Sequence, residues 1–294
     1  MTRVLWLALL PFLSSTQVPA PVAELVAGHV RASTGFDAAA LAGREALPVP
    51  GVVPRPGIAS PTRVPWVQTN GSRYLKNRTG KFSYVVPAGK GALAVAEALA
   101  YGGDAVVTFV PADAPAVERL MAFGRELPAV DLPDVADFGV FDDGSPLTAE
   151  AMNLFVRRNL LFARLTAPSS RYPFTVKLGT PEFPAEKAAD PSAFALEIRR
   201  KLTDEKRSLR LYGSEVAIAR LTADATRARV HLVNYSNREL VGVRLRVRGT
   251  YGKVEAWLPG QGKVAVIDLV TAPDGATEFS MPAMASFAVV DLSR

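Results

Sequence analysis

The chain of 294 residues contains no cysteine. Disulfides, thiolate metal sites and a cysteine nucleophile are therefore excluded. Histidine is almost as scarce: His29 and His231 stand alone and far apart. A histidine-rich metal site and a serine–histidine triad are not expected, and no cofactor is implied. No run of five like charges occurs, and no nucleic-acid motif is present. The net charge of +6 is scattered over 34 basic and 28 acidic residues, which reads as an arginine-rich surface and not as a nucleic-acid partner. Uninterrupted apolar runs fall short of the roughly 20 residues that a bilayer requires.

What is present is a globular balance, with 49% hydrophobic and 21% charged residues. The N-terminus reads "MTRVLWLALLPFLSSTQVPAP". Arg3 gives a positive start, Val4 to Leu13 form an apolar run, and Val18-Pro19-Ala20 offers a cleavage site of small residues. Residues 1–20 are expected to be a signal peptide, which implies a periplasmic or secreted protein with no membrane span after cleavage. Residues 21–62 form an alanine- and proline-rich segment, in which Val22 to Ala32 is expected to make a short helix. The stretch "LPVPGVVPRPGIASPTRVP" carries six prolines and reads as a loop.

Over residues 63–212 strand-like and helix-like segments alternate. "AGKGALAVAEALAYGG" reads as a helix stopped by Gly102-Gly103. "DAPAVERLMAFGREL" is amphipathic, with Val117, Leu120, Met121 and Phe123 on one side. "TAEAMNLFVRRNLLF" places Met152, Phe155, Val156 and Leu160 inward and Arg157-Arg158 outward. "DPSAFALEIRRKL" opens with Asp190 as cap and Pro191 at the first helical position, and "RSLRLYG" closes the series. This alternation predicts an α/β layer with a largely parallel sheet. After Gly213 seven short strands, "KVAVIDLV" among them, follow one another between turn residues. In "LVGVRLRVRG" Val241, Val243, Leu245 and Val247 alternate with Gly242, Arg244, Arg246 and Arg248, which predicts an apolar core face and a solvated arginine stripe. Residues 213–294 are expected to form a small antiparallel β-sandwich.

Three places can carry chemistry. "FGVFDDGSP" ends an apolar run on Asp142 and Asp143 at the carboxyl end of a strand, where open α/β sheets bind ligands. Adjacent aspartates point apart, so they supply at most one member of a hydrolytic pair, which needs facing carboxyls ~5–10 Å apart. Capping and turn formation by Asp143, Ser145 or Thr148 is the simpler role. Glu97 is the only charge between Lys90 and Asp104. If buried it needs a partner, and Lys90, two turns back, lies on roughly the same face. It reads either as a catalytic acid or as half of a structural ion pair. "WVQTNGSRYLKNRTGKFSY" mixes aromatics with amides and arginines, a composition that suits sugar rings. Trp66, Asn70, Arg73 and Tyr74 are its candidate substrate contacts, against the alternative of a surface hairpin turning at Asn70-Gly71. "PAGKGALA" lacks the Ser or Thr that a phosphate loop requires after its lysine.

"ARVHLVNYS", "VGVRLRVRG" and the closing "MPAMASFAVVDL" resemble the C-terminal β-sandwich of multidomain bacterial glycoside hydrolases. Residues 131–212 resemble the amidotransferase-like α/β domain that precedes that sandwich in β-galactosidases of the family 42 type. The resemblance implies a carbohydrate-associated protein. The catalytic glutamates of those enzymes belong to a barrel of about 200 or more residues, and too few residues stand upstream of 131 for a complete one. None is carried over to this sequence. Two functions follow as expectations: a non-catalytic protein that binds a glycan or envelope component, or a carbohydrate hydrolase using Asp142, Asp143 and Glu97.

Overall fold

The computed structural model describes residues 22–26, 29–33, 41–53, 66–167 and 169–294, the first two stretches by backbone alone. The expected signal peptide and residues 54–65 of the proline-rich segment lie outside the described residues. The helix expected over Val22–Ala32 is instead two strands, β1 (Val22–Val26) and β2 (His29–Ser33), paired antiparallel. Val22, Val26 and Val30 favour a pleated backbone, and β1 adds to a sheet edge where Val22 faces Thr108.

That sheet has the order β2-β1-β7-β6-β3. Its parallel part is β3 (Glu45–Ala46), β6 (Lys81–Val85) and β7 (Asp104–Thr108). Between β3 and β6 come an antiparallel pair, β4 (Gly51–Val53) with β5 (Trp66–Gln68), and the short helix α1 (Gly71–Lys76). Helix α2 (Gly91–Tyr101) links β6 to β7, and α3 (Ala114–Glu126) follows. A second, fully parallel sheet has the order β10-β8-β9, from β8 (Phe138–Phe141), β9 (Phe162–Leu165) and β10 (Thr175–Val176). Helix α4 (Pro146–Arg157) crosses between β8 and β9, and α5 (Pro191–Leu202) comes after β10.

Helix α2 is apolar and small-sided all round, and such helices belong in an interior. All its residues but Ala92 and Leu99 are buried. Gly102 ends it at φ +62°, a left-handed cap that glycine adopts without a Cβ clash. Next to it Gly103 lies against Tyr74, where an added Cβ would stand 2.1 Å from a ring carbon. Helix α3 buries Val117, Leu120, Met121 and Phe123, the face its periodicity predicts. Asp190 caps α5, accepting from the amides of Ser192 and Ala193, both at 3.1 Å.

The rest of the chain is antiparallel. One sheet, β11-β14-β18-β17, contains β11 (Leu209–Tyr212), β14 (Arg244–Val247), β17 (Ile267–Thr271) and β18 (Thr277–Ser280). The other, β12-β13-β19-β15-β16, contains β12 (Ala217–Ala223), β13 (Arg227–Asn234), β15 (Lys253–Leu258), β16 (Gly262–Val264) and β19 (Phe287–Ser293). The architecture is thus α/β with parallel sheets, followed by a β-sandwich. Two strand expectations change. "RSLRLYG" does not close the α/β series, because β11 pairs with β14 of the sandwich. "KVAVIDLV" is not one strand, because β16 and β17 belong to different sheets.

Val243, Leu245 and Val247 are buried as their alternation predicts, whereas Val241 precedes the strand and is exposed. Of the arginines opposite, Arg248 is exposed as expected, but Arg244 and Arg246 are not simply solvated. Arg244 pairs with Glu278 at 3.1 Å, and Arg246, itself buried, pairs with Asp274 and Glu278. The sandwich has its own core around Leu245, Phe279 and Val290. Ile218, Val233, Tyr235 and Phe287 instead pack into the core of the α/β part. The join between the two parts is therefore largely apolar.

Candidate functional site

Glu97 lies at that join. It is completely buried, on the middle turn of α2. Its partner is not Lys90, whose Nζ donates to Asn237 at 3.0 Å. Instead five neutral donors converge on the carboxylate. Oε1 accepts from the Thr69 hydroxyl at 2.8 Å, the Asn70 amide N–H at 2.7 Å and the Tyr235 hydroxyl at 2.6 Å. Oε2 accepts from Asn70 Nδ2 at 2.9 Å and the Tyr84 hydroxyl at 2.8 Å. These donors come from the turn after β5, from β6 and from the residue after β13. A buried carboxylate without a cation is tolerated when its lone pairs are filled this way.

The surrounding hydroxyls form a relay. Tyr74 and Tyr84 meet at 2.9 Å, and Thr69 and Tyr235 at 2.8 Å. Burial, and then the Glu97 charge, hold the phenols of Tyr74, Tyr84 and Tyr235 well above the ordinary tyrosine range. Each keeps its proton and remains a donor. Asn70 Nδ2 also donates to the Pro48 carbonyl at 2.9 Å, while its Oδ1 has no hydrogen-bond partner. With acceptors on both sides of Nδ2, the amide orientation follows from the network.

The segment around Trp66–Tyr84 is thus strand–helix–strand and not a hairpin. Asn70 and Tyr74 face inward, and Arg73 is exposed in a 2.5 Å pair with Glu45. Of the four expected sugar contacts, Trp66 alone lines an open cavity.

Asp142 and Asp143 stand beyond the end of β8, and their side chains have different roles. Asp142 is buried and pairs with Arg164 Nε at 2.6 Å and Lys76 Nζ at 3.4 Å, and it accepts from the Gly144 amide at 3.0 Å. Burial alone would raise its pKa, but Arg164, Gly144 and Lys76 outweigh burial and lower it. Asp143 is exposed and accepts from the Ser145 amide at 2.9 Å, which lowers its pKa. Ser145 then caps α4, accepting from the Thr148 amide at 3.1 Å. Neither aspartate shares a hydrogen bond with the Glu97 cluster. The glycine loop at "PAGKGALA" is filled from within: Asp113 accepts from the amides of Gly89 and Gly91, both at 2.8 Å.

A cleft of about 660 Å³ opens where α4, α5, β11 and β12 meet. Trp66, Arg157, Arg158, Arg199, Arg207 and Arg210 are among the residues that line it. Arg157 does not project outward into solvent. Its side chain is 8% exposed, and its guanidinium lies 3.7 Å from the centre of the Trp66 ring. Arg199, Arg207 and Arg210 surround Asp204 at 3.0, 3.2 and 3.4 Å. Glu97, Asp142 and Asp143 are absent from its walls. Among the described residues no group of three or more His, Asp or Glu is arranged to hold a metal ion, and no helix is long and apolar enough to cross a membrane. Sequence reasoning overlooked this arginine cleft, because its residues come from segments that are distant in the chain. The pairing of Arg157-Arg158 with a lone tryptophan on a preceding strand was the only available signal.

No family model matches the chain, and no curated protein matches it. Solved structures do. Alpha-L-fucosidase isoenzyme 2 from Paenibacillus thiaminolyticus matches with a TM-score of 0.54 and 11% identity, covering 76% of this chain and 62% of that one. Gan42B, a GH42 β-galactosidase from G. stearothermophilus, matches with a TM-score of 0.41 and 8% identity, covering 87% and 55%. A GH30 endoxylanase from Clostridium papyrosolvens gives a TM-score of 0.23 and 11% identity, covering 75% and 50%. The chain spans between half and two thirds of the length of these structures. Its fold is similar to the fucosidase fold, and the likeness is one of fold alone.

Proposed function

We propose that this chain is an exported, carbohydrate-associated protein that binds a glycan or envelope component without hydrolysing it. In this reading residues 131–212 and 213–294 correspond to the amidotransferase-like α/β domain and β-sandwich at the rear of family 42 β-galactosidases. The charged start, the apolar run and the small residues at Val18-Pro19-Ala20 support export.

One observation carries the binding function: the open cleft has an aromatic and guanidinium lining with Glu215 as its single acid among the described residues, while Glu97, Asp142 and Asp143 lie elsewhere. A retaining or inverting glycosidase needs two carboxyls facing one cleft. Glu97 has its lone pairs filled by protein donors, Asp142 is engaged by two cations, and Asp143 completes a turn. The cleft volume lies within the usual range for small-ligand sites, about 300–1,000 Å³.

The test is electrophoresis of the purified chain through native gels containing a panel of soluble polysaccharides. At least one polysaccharide is expected to retard the wild type and to retard Tyr212→Ala less. Tyr212 lines the cleft on β11 without joining the buried network. Unchanged mobility on every polysaccharide, together with a stable complex with another protein on pulldown, would replace this reading by a purely structural role.

A further inference from the structure

We infer that the cleft takes an acidic saccharide, one whose ring carries a carboxylate or a sulfate, held by Arg199, Arg207 and Arg210. The inference rests on the glycan-binding reading above and names its ligand class.

Three guanidinium groups share one carboxylate here. Arg199 forms a two-point contact with Asp204, at 3.2 Å from Nε and 3.0 Å from Nη2. Arg207 and Arg210 reach the same carboxylate at 3.2 and 3.4 Å. Asp137, whose carboxylate accepts from the Ser208 amide at 3.0 Å, also faces Arg207, so two carboxylates stand against three guanidinium groups. Arg207 is buried, and Nε of both Arg207 and Arg210 has no acceptor in the structure. Burial lowers the pKa of Arg207, the Asp204 hydrogen bond opposes the shift, and the neighbouring Arg199 charge adds to it.

The facing wall carries two further guanidinium groups. Arg157 pairs with Glu150 at 3.6 Å and stacks on Trp66, while Arg158 donates to the Ser192 hydroxyl at 3.0 Å. Glu215 is the only acid among the described residues that lines the cleft, and it is exposed. The cleft is thus lined by guanidinium groups, whose planar forks match an oxyanion at two points; the Arg199 fork rests on Asp204, and Arg207 also donates from Nη2 to the Asn159 carbonyl at 3.0 Å. Trp66 and Tyr212 give it flat apolar surface for the body of a sugar ring. A neutral sugar would leave the excess charge unanswered. An inorganic anion would leave most of the volume empty.

Calorimetric titration of the full chain at low salt tests the inference. The probes are an oligogalacturonate, a sulfated galacto-oligosaccharide of equal length, the neutral galacto-oligosaccharide and sodium sulfate. At least one acidic oligosaccharide is expected to bind about tenfold or more tighter than the neutral one and than sulfate. Whichever acidic probe is tighter identifies the oxyanion. Arg210→Gln should weaken the acidic probe about tenfold and the neutral one by much less. Arg199→Gln, on the exposed side, provides a second variant, and both are checked for an unchanged thermal midpoint. Neutral binding as tight as acidic, with no effect of either substitution, overturns the inference and leaves the glycan-binding reading intact. Sulfate binding as tight as any oligosaccharide overturns the saccharide assignment. Failure of every oligosaccharide overturns both.

Discussion

The Tyr235 hydroxyl donates to Glu97 Oε1 at 2.6 Å, across the join between helix α2 and the sandwich. One atom pair thus ties together two parts of the chain separated by 138 residues. Removing the phenol hydroxyl leaves one lone pair of a buried carboxylate empty. Tyr235→Phe should cost about 1–3 kcal/mol. Glu97→Gln should cost more, roughly 3–5 kcal/mol, because an amide nitrogen then faces at least two donors. Urea denaturation of each single variant and of the double variant measures both costs. The double variant should lose less than the sum of the two, since the residues act on one bond. Strict additivity would mean that the contact is incidental.

Asp142 and Asp143 should separate clearly in a stability assay. Asp143→Asn retains an acceptor for the Ser145 amide, so its cost should be a few tenths of a kcal/mol. Asp142→Asn strands Arg164 and Lys76 beside a neutral group and should cost about 1–3 kcal/mol. Ser145→Ala, which removes the α4 cap, should fall near 1 kcal/mol. Thermal melts of the three variants check the order.

Asp204 gives the molecule a defined acid sensitivity. Hydrogen bonding from Arg199, opposed by burial and supported by Arg207 and Arg210, lowers its pKa from the ordinary 3.8 to about 2. The folded-state value lies below the unfolded one. The stabilisation is therefore complete above about pH 4 and is lost as pH falls towards 2. Asp137, whose pKa burial raises, works in the opposite sense, so the comparison must be with Asp204→Asn. The gap in unfolding midpoint between wild type and that variant should be larger at pH 5 than at pH 2. An equal gap at both pH values would contradict the arginine cluster described here.

Asn159 tests the join at a second point. It sits at φ +52°, a left-handed conformation that asparagine tolerates better than most residues. Its side chain donates to the Ala217 carbonyl at 3.1 Å and accepts from the Ala219 amide at 2.7 Å, both at β12. Asn159→Gly keeps the backbone permissive and deletes both bonds, so a loss of about 1–3 kcal/mol reports the side chain alone. Asn159→Ala should lose more, since it adds backbone strain.

The elements were largely legible in the sequence because their signals are local. The buried face of α3, the Gly102 stop and the Asp190 cap each depend on residues within a few positions of one another. The surroundings of Glu97 were not legible. Helical spacing pointed to Lys90, but the donors come from three separate segments that only the fold brings together. Arg157 read as a solvated charge, because periodicity cannot reveal a tryptophan on another strand. Residues Lys263–Val270 read as one strand, because a continuous apolar run does not record where the chain changes sheets. The arginines of β14 read as solvated, because their acidic partners lie some thirty residues away.

The central claim is that this chain retains glycans without cleaving them, its carboxylates being committed to structure. The most direct test is the release of reducing ends when the purified wild-type chain is incubated with the polysaccharide that most retards it. No release above a protein-free control is expected. Steady release that disappears in Glu97→Gln or Asp142→Asn would contradict the claim and return those carboxylates to catalysis.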